Sequence, residues 1–340
     1  MKKLFLSLVA VMAATVSFAQ NNLVATLSHG EDISIYYGTY ALRDAMNAAA
    51  SGDVINLSGG AFQAVDITKG VTLRGTGIDD AAPTYFTGNF TINVPSEDAN
   101  RLSMEGIRCT GTITMKGIFN NPYFVKSAFS AFNYYDDPTI KNALFADCRI
   151  SSSYNLSGSS TVQFINSYVN SFKNDGQTNT SASFLNCVIK PFTRSIETSS
   201  ENNNYQPEYI CKSQIINSII YSRVRQNNHL NSSSIATNCV SIGFDNLFGA
   251  QAANTGNRSA TFDEIFKDFR GAYSESQQFE LTEEAKTNYL GTDGTEIGMH
   301  GGVLPYDTTP SYPQITRMNV ANKTTADGKL SVEIEVSAAE

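Results

Sequence analysis

The chain has 340 residues, and its 32 acidic and 24 basic side chains give a formal net charge of −8 at pH 7. An acidic surface repels phosphate polyanions, which argues against nucleic acid and anionic membranes as partners. The chain contains 16 Tyr and no Trp. Sugar-binding surfaces often use indole rings, so tyrosine would have to supply the aromatic faces of such a surface here.

Residues 1–19 have the features of a secretory signal peptide. Lys2 and Lys3 precede the apolar run 4–16, and residues 17–19 form a cleavage site before Gln20. We therefore expect export to the extracellular space, the cell surface or the periplasm. Without the two lysines the mature chain has 22 basic and 32 acidic residues, a net charge of −10. No later run of 18 apolar residues follows, so no membrane span is expected.

The first part of the mature chain predicts a short strand, a helix and then more strands. Residues 33, 35 and 37 are apolar and alternate, which favours a strand. In residues 40–50, one helical stripe is apolar and ends before Gly52, a helix stop. The stripe consists of Ala41, Leu42, Ala45, Met46 and Ala49. Short apolar segments at 54–57, 64–67 and 71–75, separated by glycine turns, then favour strands.

A sequence repeat of about twenty residues occurs five times in the middle of the chain. Its central residues are Asp147, Asn166, Asn186, Asn217 and Asn238, at intervals of 19, 20, 31 and 21 residues. A unit this short cannot bury an apolar face alone, so it must stack on copies of itself as a solenoid. Weaker copies extend the pattern to about residues 52–245, or roughly nine coils. The alternative is a β-sandwich whose turns are similar by accident.

Each repeat also predicts which side chains face the core. These are the apolar residue two before the central Asp or Asn, the Cys or Ser one after it, and the apolar residue three after it. The first two are three residues apart, which breaks strict alternation, so the backbone must bend at the central residue. Asn tolerates the left-handed conformation that such a bend requires. We also expect the stacked asparagines to hydrogen-bond to one another as a ladder.

Three of the five cysteines occupy one position of the repeat. Cys148, Cys187 and Cys239 alternate there with Ser167 and Ser218. Alternate turns of a solenoid are roughly 9.6 Å apart, beyond the ~7 Å Cα separation that a disulfide tolerates. These cysteines are therefore predicted to be buried thiols. Cys109 and Cys211 are off this register, and a pair involving either stays open.

The C-terminal part predicts a cover for the solenoid and a separate end. Residues 261–269 have apolar side chains at helical spacing and are expected to cover the last rung. Three prolines between 305 and 313 indicate a linker. Residues 314–320 and 329–336 alternate across a turn at 326–328, which favours a β-hairpin or the stub of an appended module. The predicted organisation is a signal peptide at 1–19, a solenoid domain with its caps at 20–305, and the linker and hairpin at 306–340.

Two stretches resemble a known family. Residues 41–57 followed by 67–75 resemble the N-terminal cap and first coil of pectate-lyase-like right-handed parallel β-helix proteins. Residues 279–302 are similar to the segment that ends many exported bacterial β-helix proteins, and with the signal peptide they resemble a secreted protein of Bacteroidota type. The resemblance covers about residues 40–305. It implies an all-β, right-handed parallel β-helix (β-solenoid) with an N-terminal helical cap and a C-terminal capping segment. This fold hosts lyases, hydrolases, epimerases, adhesins and inert scaffolds.

The catalytic signatures of these enzymes are absent from the sequence, so no catalytic residue is predicted. The Trp-Ile-Asp-His pattern of pectate lyases is missing, and of the galacturonan hydrolase signatures only Asp-Asp occurs, at 79–80 and 136–137. The second of these stands beside Pro138, which favours a turn. The three histidines lack metal-ligand spacing. No cofactor is expected. The pair at 293–294 predicts a tight turn, with Ca²⁺ ligation as the alternative.

Basic and aromatic side chains on neighbouring rungs form the predicted carbohydrate site. Lys190, Lys212 and nearby arginines could line one face, although a solvated charged face and ordinary surface tyrosines explain the pattern too. The long interval before Asn217 contains a polar excursion at 193–205, where a site would be sought first. The predicted carbohydrate-binding residues are Tyr134, Tyr135, Arg194, Tyr205, Tyr221, Arg223 and Arg225.

The sequence leaves three functions open. The first is a secreted or surface-associated, non-catalytic β-helix scaffold that binds extracellular polysaccharide. The second is a polysaccharide lyase or glycoside hydrolase acting on a uronate-containing polysaccharide, with Arg194, Arg223 and Arg225 converging in a groove. The third is a structural or adhesive surface component that uses the terminal hairpin to dock a cell-surface partner.

Overall fold

A computed structural model describes residues 23–79, 82–174, 179–192, 210, 212–226, 229–249, 255–320, 327–329 and 332–337. The predicted signal peptide, the excursion at 193–205 with Arg194 and Tyr205, and Cys211 lie outside these residues. Within the described part, no helix combines the length and apolar character that a membrane crossing requires.

Short strands dominate the described residues, and three helices lie beside them. The helices are α1 (Ala41–Ala48), α2 (Phe262–Ile265) and α3 (Glu283–Asn288). The strands are β1 (Val24–His29), β2 (Asp32–Tyr37), β3 (Val54–Leu57), β4 (Gly60–Gln63), β5 (Thr72–Arg74), β6 (Thr84–Thr87), β7 (Phe90–Ile92), β8 (Ser103–Glu105), β9 (Ile107–Met115), β10 (Ile118–Asn120), β11 (Tyr123–Val125), β12 (Ala128–Tyr134), β13 (Thr139–Lys141), β14 (Ala143–Ala146), β15 (Arg149–Leu156), β16 (Thr161–Ile165), β17 (Tyr168–Asn174), β18 (Ser181–Leu185), β19 (Val188–Pro191), β20 (Ser213–Ile216), β21 (Ile219–Gln226), β22 (Ile235–Thr237), β23 (Val240–Phe244), β24 (Arg258–Ala260), β25 (Gln314–Val320) and β26 (Val332–Ser337).

The chain winds as a right-handed parallel β-solenoid of about 8 turns, which confirms the predicted fold class. Most turns give one strand to each of two large sheets. The first sheet has the order β2-β1-β3-β5-β8-β11-β14-β16-β18-β20-β22. The second has the order β24-β23-β21-β19-β17-β15-β12-β9-β6-β4, with β7 also paired to β9. From β3 onward the pairs of both sheets are parallel, whereas β1 is antiparallel to β2 and β3. The core lies between the two sheets.

Helix α1 forms where the sequence predicts it. Its buried side chains are Ala41, Leu42, Ala45 and Met46, the predicted stripe, and they pack beside β1 and β2. The predicted strand is β2, but it is the edge strand of its sheet and Ile33 is 66% exposed. The role of α1 as a cap of the solenoid stays a prediction.

The central residue of each repeat is the corner between the two sheets. Asp147, Asn166, Asn186, Asn217 and Asn238 have φ angles of 53°, 45°, 53°, 50° and 54°. The left-handed conformation turns the chain from a strand of the first sheet into one of the second. The predicted bend is confirmed, and we call these positions, together with Lys126 (φ 49°), the corner residues.

The predicted inward residues fill the core. The rings of Phe124, Phe145, Phe164 and Phe184 are stacked along the axis, with centroids 4.5, 5.1 and 5.0 Å apart. This distance is close to the ~4.8 Å spacing of neighbouring strands, so each turn places its ring directly on the previous one. Burial of the rings removes large apolar surfaces from water, which is the main force that holds the turns together.

The file of cysteines and serines lies inside the solenoid as predicted. Cys148, Cys187 and Cys239 are buried free thiols. Ser167 and Ser218 alternate with them, and their Oγ atoms accept hydrogen bonds at 3.0 Å from the backbone N–H of Cys148 and Cys187. Cys109 is also a free thiol, so none of the four described cysteines forms a disulfide.

The segment after the last turn folds back over the second sheet. The helical stretch predicted at 261–269 is only the four residues of α2, because Phe266 is already extended at φ −105° and ψ 137°. Its aromatic side chains pack against outward residues of the second sheet, among them Tyr221 and Val240. The segment therefore covers a lateral face of successive turns, where the sequence predicts a cover for the last rung only.

Residues 290–312, which we call the strap, then run back along the corner residues. The Nδ2 atom of Asn238 donates to the carbonyl of Leu290, and that of Asn166 donates to the carbonyls of Met299 and Gly301. These are bonds to the strap, and the corner asparagines do not bond to one another in the described structure. The predicted ladder of asparagine amides is therefore wrong, since the side chains of Asn166, Asn217 and Asn238 bond to the strap instead.

The far end of the strap continues in the same direction. Lys126 Nζ lies 2.7 Å from Asp307 Oδ2, and the backbone N–H of Ser311 donates to Glu105 Oε1 at 2.6 Å. Residues 306–312, which the sequence assigns to a linker, thus contact the solenoid. Beyond them β25 and β26 pair antiparallel, as the strands of a hairpin do. Whether this end is a hairpin or the stub of an appended module stays a prediction.

Candidate functional site

A groove of about 1000 Å³ runs along the outer face of the first sheet. It crosses successive turns, from the start of β11 to the start of β22. Its lining residues are Ala99, Arg101, Asn121, Pro122, Tyr123, Asn142, Leu144, Thr161, Val162, Gln163, Ser181, Ala182, Ser183, Lys212, Ser213, Gln214, Ser233 and Ile235.

The repeat itself builds one row of the groove. The residue three before each corner residue stands next to an inward-facing Phe, Ile or Ala, so alternation directs it outward. Strand register places these residues side by side on neighbouring strands. The row consists of Tyr123, Leu144, Gln163, Ser183, Gln214 and Ile235. One turn therefore contributes one outward side chain at each step of about 4.8 Å.

A second row lies two residues earlier in each turn and is polar. It consists of Asn121, Asn142, Thr161, Ser181, Lys212 and Ser233. Asn142 Nδ2 donates to Asn121 Oδ1 at 3.2 Å, and Asn142 N–H donates to Thr161 Oγ1 at 2.7 Å. Amide and hydroxyl groups can both donate and accept, which suits them to the hydroxyl groups of a sugar.

Tyr123 is the aromatic side chain of the groove. The guanidinium carbon of Arg101 lies 4.7 Å from the centroid of its ring, a cation–π contact. Burial raises the pKa of the Tyr123 phenol, and the nearby Arg101 charge only partly opposes this. The phenol is therefore neutral at pH 7. It can offer a ring face and a hydrogen bond, but its pKa is poorly matched to a general base.

The charged side chains that line the groove are cationic. They are Arg101 and Lys212, and the described lining includes neither Asp nor Glu. Glycoside hydrolases generally flank the scissile bond with a pair of carboxyl groups. The described lining therefore offers hydrogen-bonding side chains for sugar hydroxyl groups, and it contains no pair of carboxyl groups. Across the described residues, no three His, Cys, Asp or Glu side chains are placed to hold a metal ion together.

Two of the predicted carbohydrate-binding tyrosines are buried. Tyr134 is 8% exposed and its hydroxyl bonds to that of Tyr154, while Tyr221 is fully buried and its hydroxyl lies 2.8 Å from that of Tyr168. Tyr221 is covered by the aromatic residues that follow the last turn. Neither ring presents a face to solvent, so these two residues cannot act as sugar-stacking platforms in this structure.

The other described candidates are exposed but lie away from the groove. Tyr135 follows β12 and contacts Lys116 Nζ, which is 4.6 Å from its ring. Arg223 and Arg225 are on β21 of the second sheet, and Arg225 pairs with Asp245. The structure does not place any of the three with the groove residues. Arg194 and Tyr205 are outside the described residues, and glycan binding by the exposed set stays a prediction.

The acidic pairs singled out in the sequence have structural roles. Asp79 pairs with Arg149 at 3.2 Å and with Arg108 at 3.4 Å, while Asp80 is outside the described residues. Asp136 and Asp137 have φ angles of 59° and 46° in an exposed bend, as the predicted turn requires.

The turn predicted at residues 293–294 is present. Asp293 Oδ1 accepts from the Thr295 N–H at 3.1 Å and from its hydroxyl at 2.8 Å. Gly294 has a φ of 81°, the left-handed conformation that glycine adopts without strain. The Asp293 carboxylate is thus used to close the turn.

Apart from Lys212, the groove residues are not among the side chains predicted from the sequence, although the signal was present. The predicted site consists of charged and aromatic side chains, with the break in the period as the first place to seek it, whereas the groove is lined by the regular outward positions of the repeat. Counting three and five residues back from each corner residue identifies Gln163 and Thr161, and likewise Gln214 and Lys212. The depth of the groove, in contrast, is a property of the stacked turns.

No family model matches this chain, and no curated protein or solved structure is significantly similar to it. The parallel solenoid that the resemblance implies is confirmed by the structure. Membership of the pectate-lyase-like superfamily, and a Bacteroidota-type origin, stay proposals.

Proposed function

We propose that this protein is an exported, non-catalytic β-helix scaffold that binds an extended polysaccharide along the groove of the first sheet. The observation that carries the proposal is the repetition of outward hydroxyl or amide side chains in six successive turns, on the strands of the first sheet or just before them. A linear polymer presents similar groups at regular intervals, so it can repeat the same contacts from turn to turn.

The mixture of side chains supports a sugar as the occupant. Gln163 and Gln214 offer donors and acceptors, whereas Leu144 and Ile235 offer apolar surface for the C–H faces of sugar rings. Tyr123 adds an aromatic face at one end. Export is supported by the signal-peptide pattern of residues 1–19, and an extracellular polymer is the matching ligand.

The test is binding of the mature chain, residues 20–340, to a panel of linear polysaccharides by affinity electrophoresis and calorimetry. Gln163→Ala combined with Gln214→Ala should weaken binding about thirtyfold, since each of the two neutral hydrogen bonds contributes roughly 1 kcal/mol. Gln63→Ala, an exposed glutamine on β4 of the second sheet, is the matched control and should bind as the wild type does. Retention of full affinity by the double variant, or absence of binding across the panel, would contradict the proposal.

The same samples separate the scaffold from the enzyme alternative. Release of reducing ends or of unsaturated products from a uronate-containing polysaccharide would show a hydrolase or a lyase. We expect neither, because the described lining of the groove contains no carboxylate and Tyr123 has a raised pKa.

A further inference from the structure

Three basic side chains lie on successive strands of the second sheet, on the side of the solenoid away from the groove. They are Lys173 on β17, Lys190 on β19 and Arg223 on β21, and we call them the basic stripe. Val188 pairs with Ile219 and Ile189 with Ile220, so Lys190 comes next to Tyr221. Arg223 is two residues further along the same strand, at a backbone separation of about 8 Å from Lys190.

The stripe is joined by an exposed aromatic ring. Phe172 pairs with Pro191, which brings Lys173 beside Phe192, and Lys173 Nζ lies 5.9 Å from the centroid of the Phe192 ring. Phe192, just after the end of β19, is 42% exposed. Positive charge and an aromatic face are therefore available side by side.

The positive charges of the stripe are not neutralised by the described part of the protein. There, no carboxylate forms an ion pair with Lys173, Lys190 or Arg223, whereas Arg225 on the same strand pairs with Asp245 at 2.5 Å. Lys190 is half-buried, and its burial together with the nearby Arg223 charge lowers its pKa.

Within the described residues this arrangement is electrostatically unfavourable. Like charges on neighbouring strands repel, and desolvation of Lys190 adds to the cost. A bound anion would relieve the repulsion. An oxyanion between the ammonium and guanidinium groups would accept charge-assisted hydrogen bonds, which are the stronger kind.

We propose that Lys173, Lys190 and Arg223 bind an oxyanion group, a sulfate, phosphate or carboxylate. Where a glycan carries this group, Phe192 would stack on the sugar ring. The site is independent of the groove, because it lies on the other sheet and shares no lining residue with it. The oxyanion has two possible sources, a free inorganic anion or an acidic substituent of a glycan.

The experiment uses the mature chain and three probes, sodium sulfate, dextran sulfate and unsulfated dextran, at constant ionic strength in calorimetry. We expect saturable binding of the sulfated probes, weakened about tenfold by Arg223→Gln and further by Lys190→Gln. Arg225→Gln removes one exposed charge of the same strand and should leave binding unchanged. Dextran sulfate bound much more tightly than free sulfate identifies a glycan substituent, and equal affinity per sulfate identifies the inorganic ion.

Two results would overturn the proposal of an oxyanion site. One is the absence of saturable binding for both sulfated probes, and the other is an equal loss of affinity in Arg223→Gln and Arg225→Gln. Arg223 is exposed, so its substitution is not expected to affect folding, which circular dichroism of the variant checks. If Gln163→Ala and Gln214→Ala abolished dextran sulfate binding and the stripe variants did not, the polymer would be bound in the groove and not at the basic stripe.

Discussion

Asn166 and Met299 are joined by a hydrogen bond of 2.7 Å from the side-chain amide to the backbone carbonyl, although 133 residues separate them in the chain. The same Nδ2 atom also donates to the Gly301 carbonyl at 2.7 Å. Asn217, two turns further along, accepts from the Thr292 N–H at 3.0 Å. The corner residues thus have two functions, to bend the backbone and to fasten the strap.

Asn166→Ala should destabilise the protein by about 2 kcal/mol, because two buried carbonyls of the strap lose their donor and the left-handed corner loses a favourable residue. Urea denaturation measures the difference. Asn142→Ala is the matched control, since Asn142 also has a positive φ of 55° but its amide bond to Asn121 is exposed. Equal costs for the two variants would show that the strap bonds contribute nothing.

The free energy of unfolding should fall as the pH rises toward and through 7, because of Asp147. Burial raises the pKa of its carboxyl from 3.8 to about 7, more than the Asp307 N–H and Lys126 lower it. Between these values the native state binds more protons than the unfolded state, so stability decreases with pH. The destabilisation is complete only above pH 7.

Asp147→Asn should remove this pH dependence. At pH 8 we expect the variant to be more stable by about 2 kcal/mol, as the amide still accepts from the Asp307 N–H without a buried charge. Other turns already have asparagine at this corner. Denaturation curves of both proteins from pH 5 to 8.5 provide the measurement, and a variant that is less stable than the wild type at pH 8 would refute the prediction.

Arg149→Gln should cost about 3 kcal/mol, since it breaks a buried ion pair and leaves its partners unsatisfied. The Arg149 side chain is 1% exposed, pairs with Asp79, and donates to the Glu275 carbonyl at 2.6 Å. Arg43→Gln is the control, because its pair with Asp44 is exposed and should be worth less than about 0.5 kcal/mol. Thermal and urea unfolding of the two variants should differ clearly, and similar curves would contradict this assignment.

The four cysteine thiols in the described part of the protein should not react with a disulfide reagent at pH 8 in the native state. Burial raises the pKa of Cys187 and of Cys239 to about 12, so very little reactive thiolate is present, and that of Cys148 is raised too. The assay uses a Cys211→Ser variant, which leaves the four described cysteines. They should react only in denaturant. Rapid reaction of any of them in buffer would show that these core thiols are accessible to the reagent.

The repeat made several structural features predictable because each depends on local sequence. The left-handed conformation of Asn186, the inward ring of Phe164 and the free thiol of Cys187 all follow from position in a stacked unit. A solenoid brings each turn against the next one, so a contact between turns is a contact between equivalent positions. The fold class follows for the same reason.

The sequence alone therefore determined the stacked turns, the corner residues and the composition of the core. Only the tertiary structure decided that residues 290–312 return along the corners, that Tyr134 and Tyr221 are buried, and that outward positions of the first sheet form a groove. The physical reason is the sequence separation of the contacts involved. Stacking follows from a local pattern that repeats, whereas the return of a segment over a hundred residues later depends on the surface that the completed solenoid offers to it.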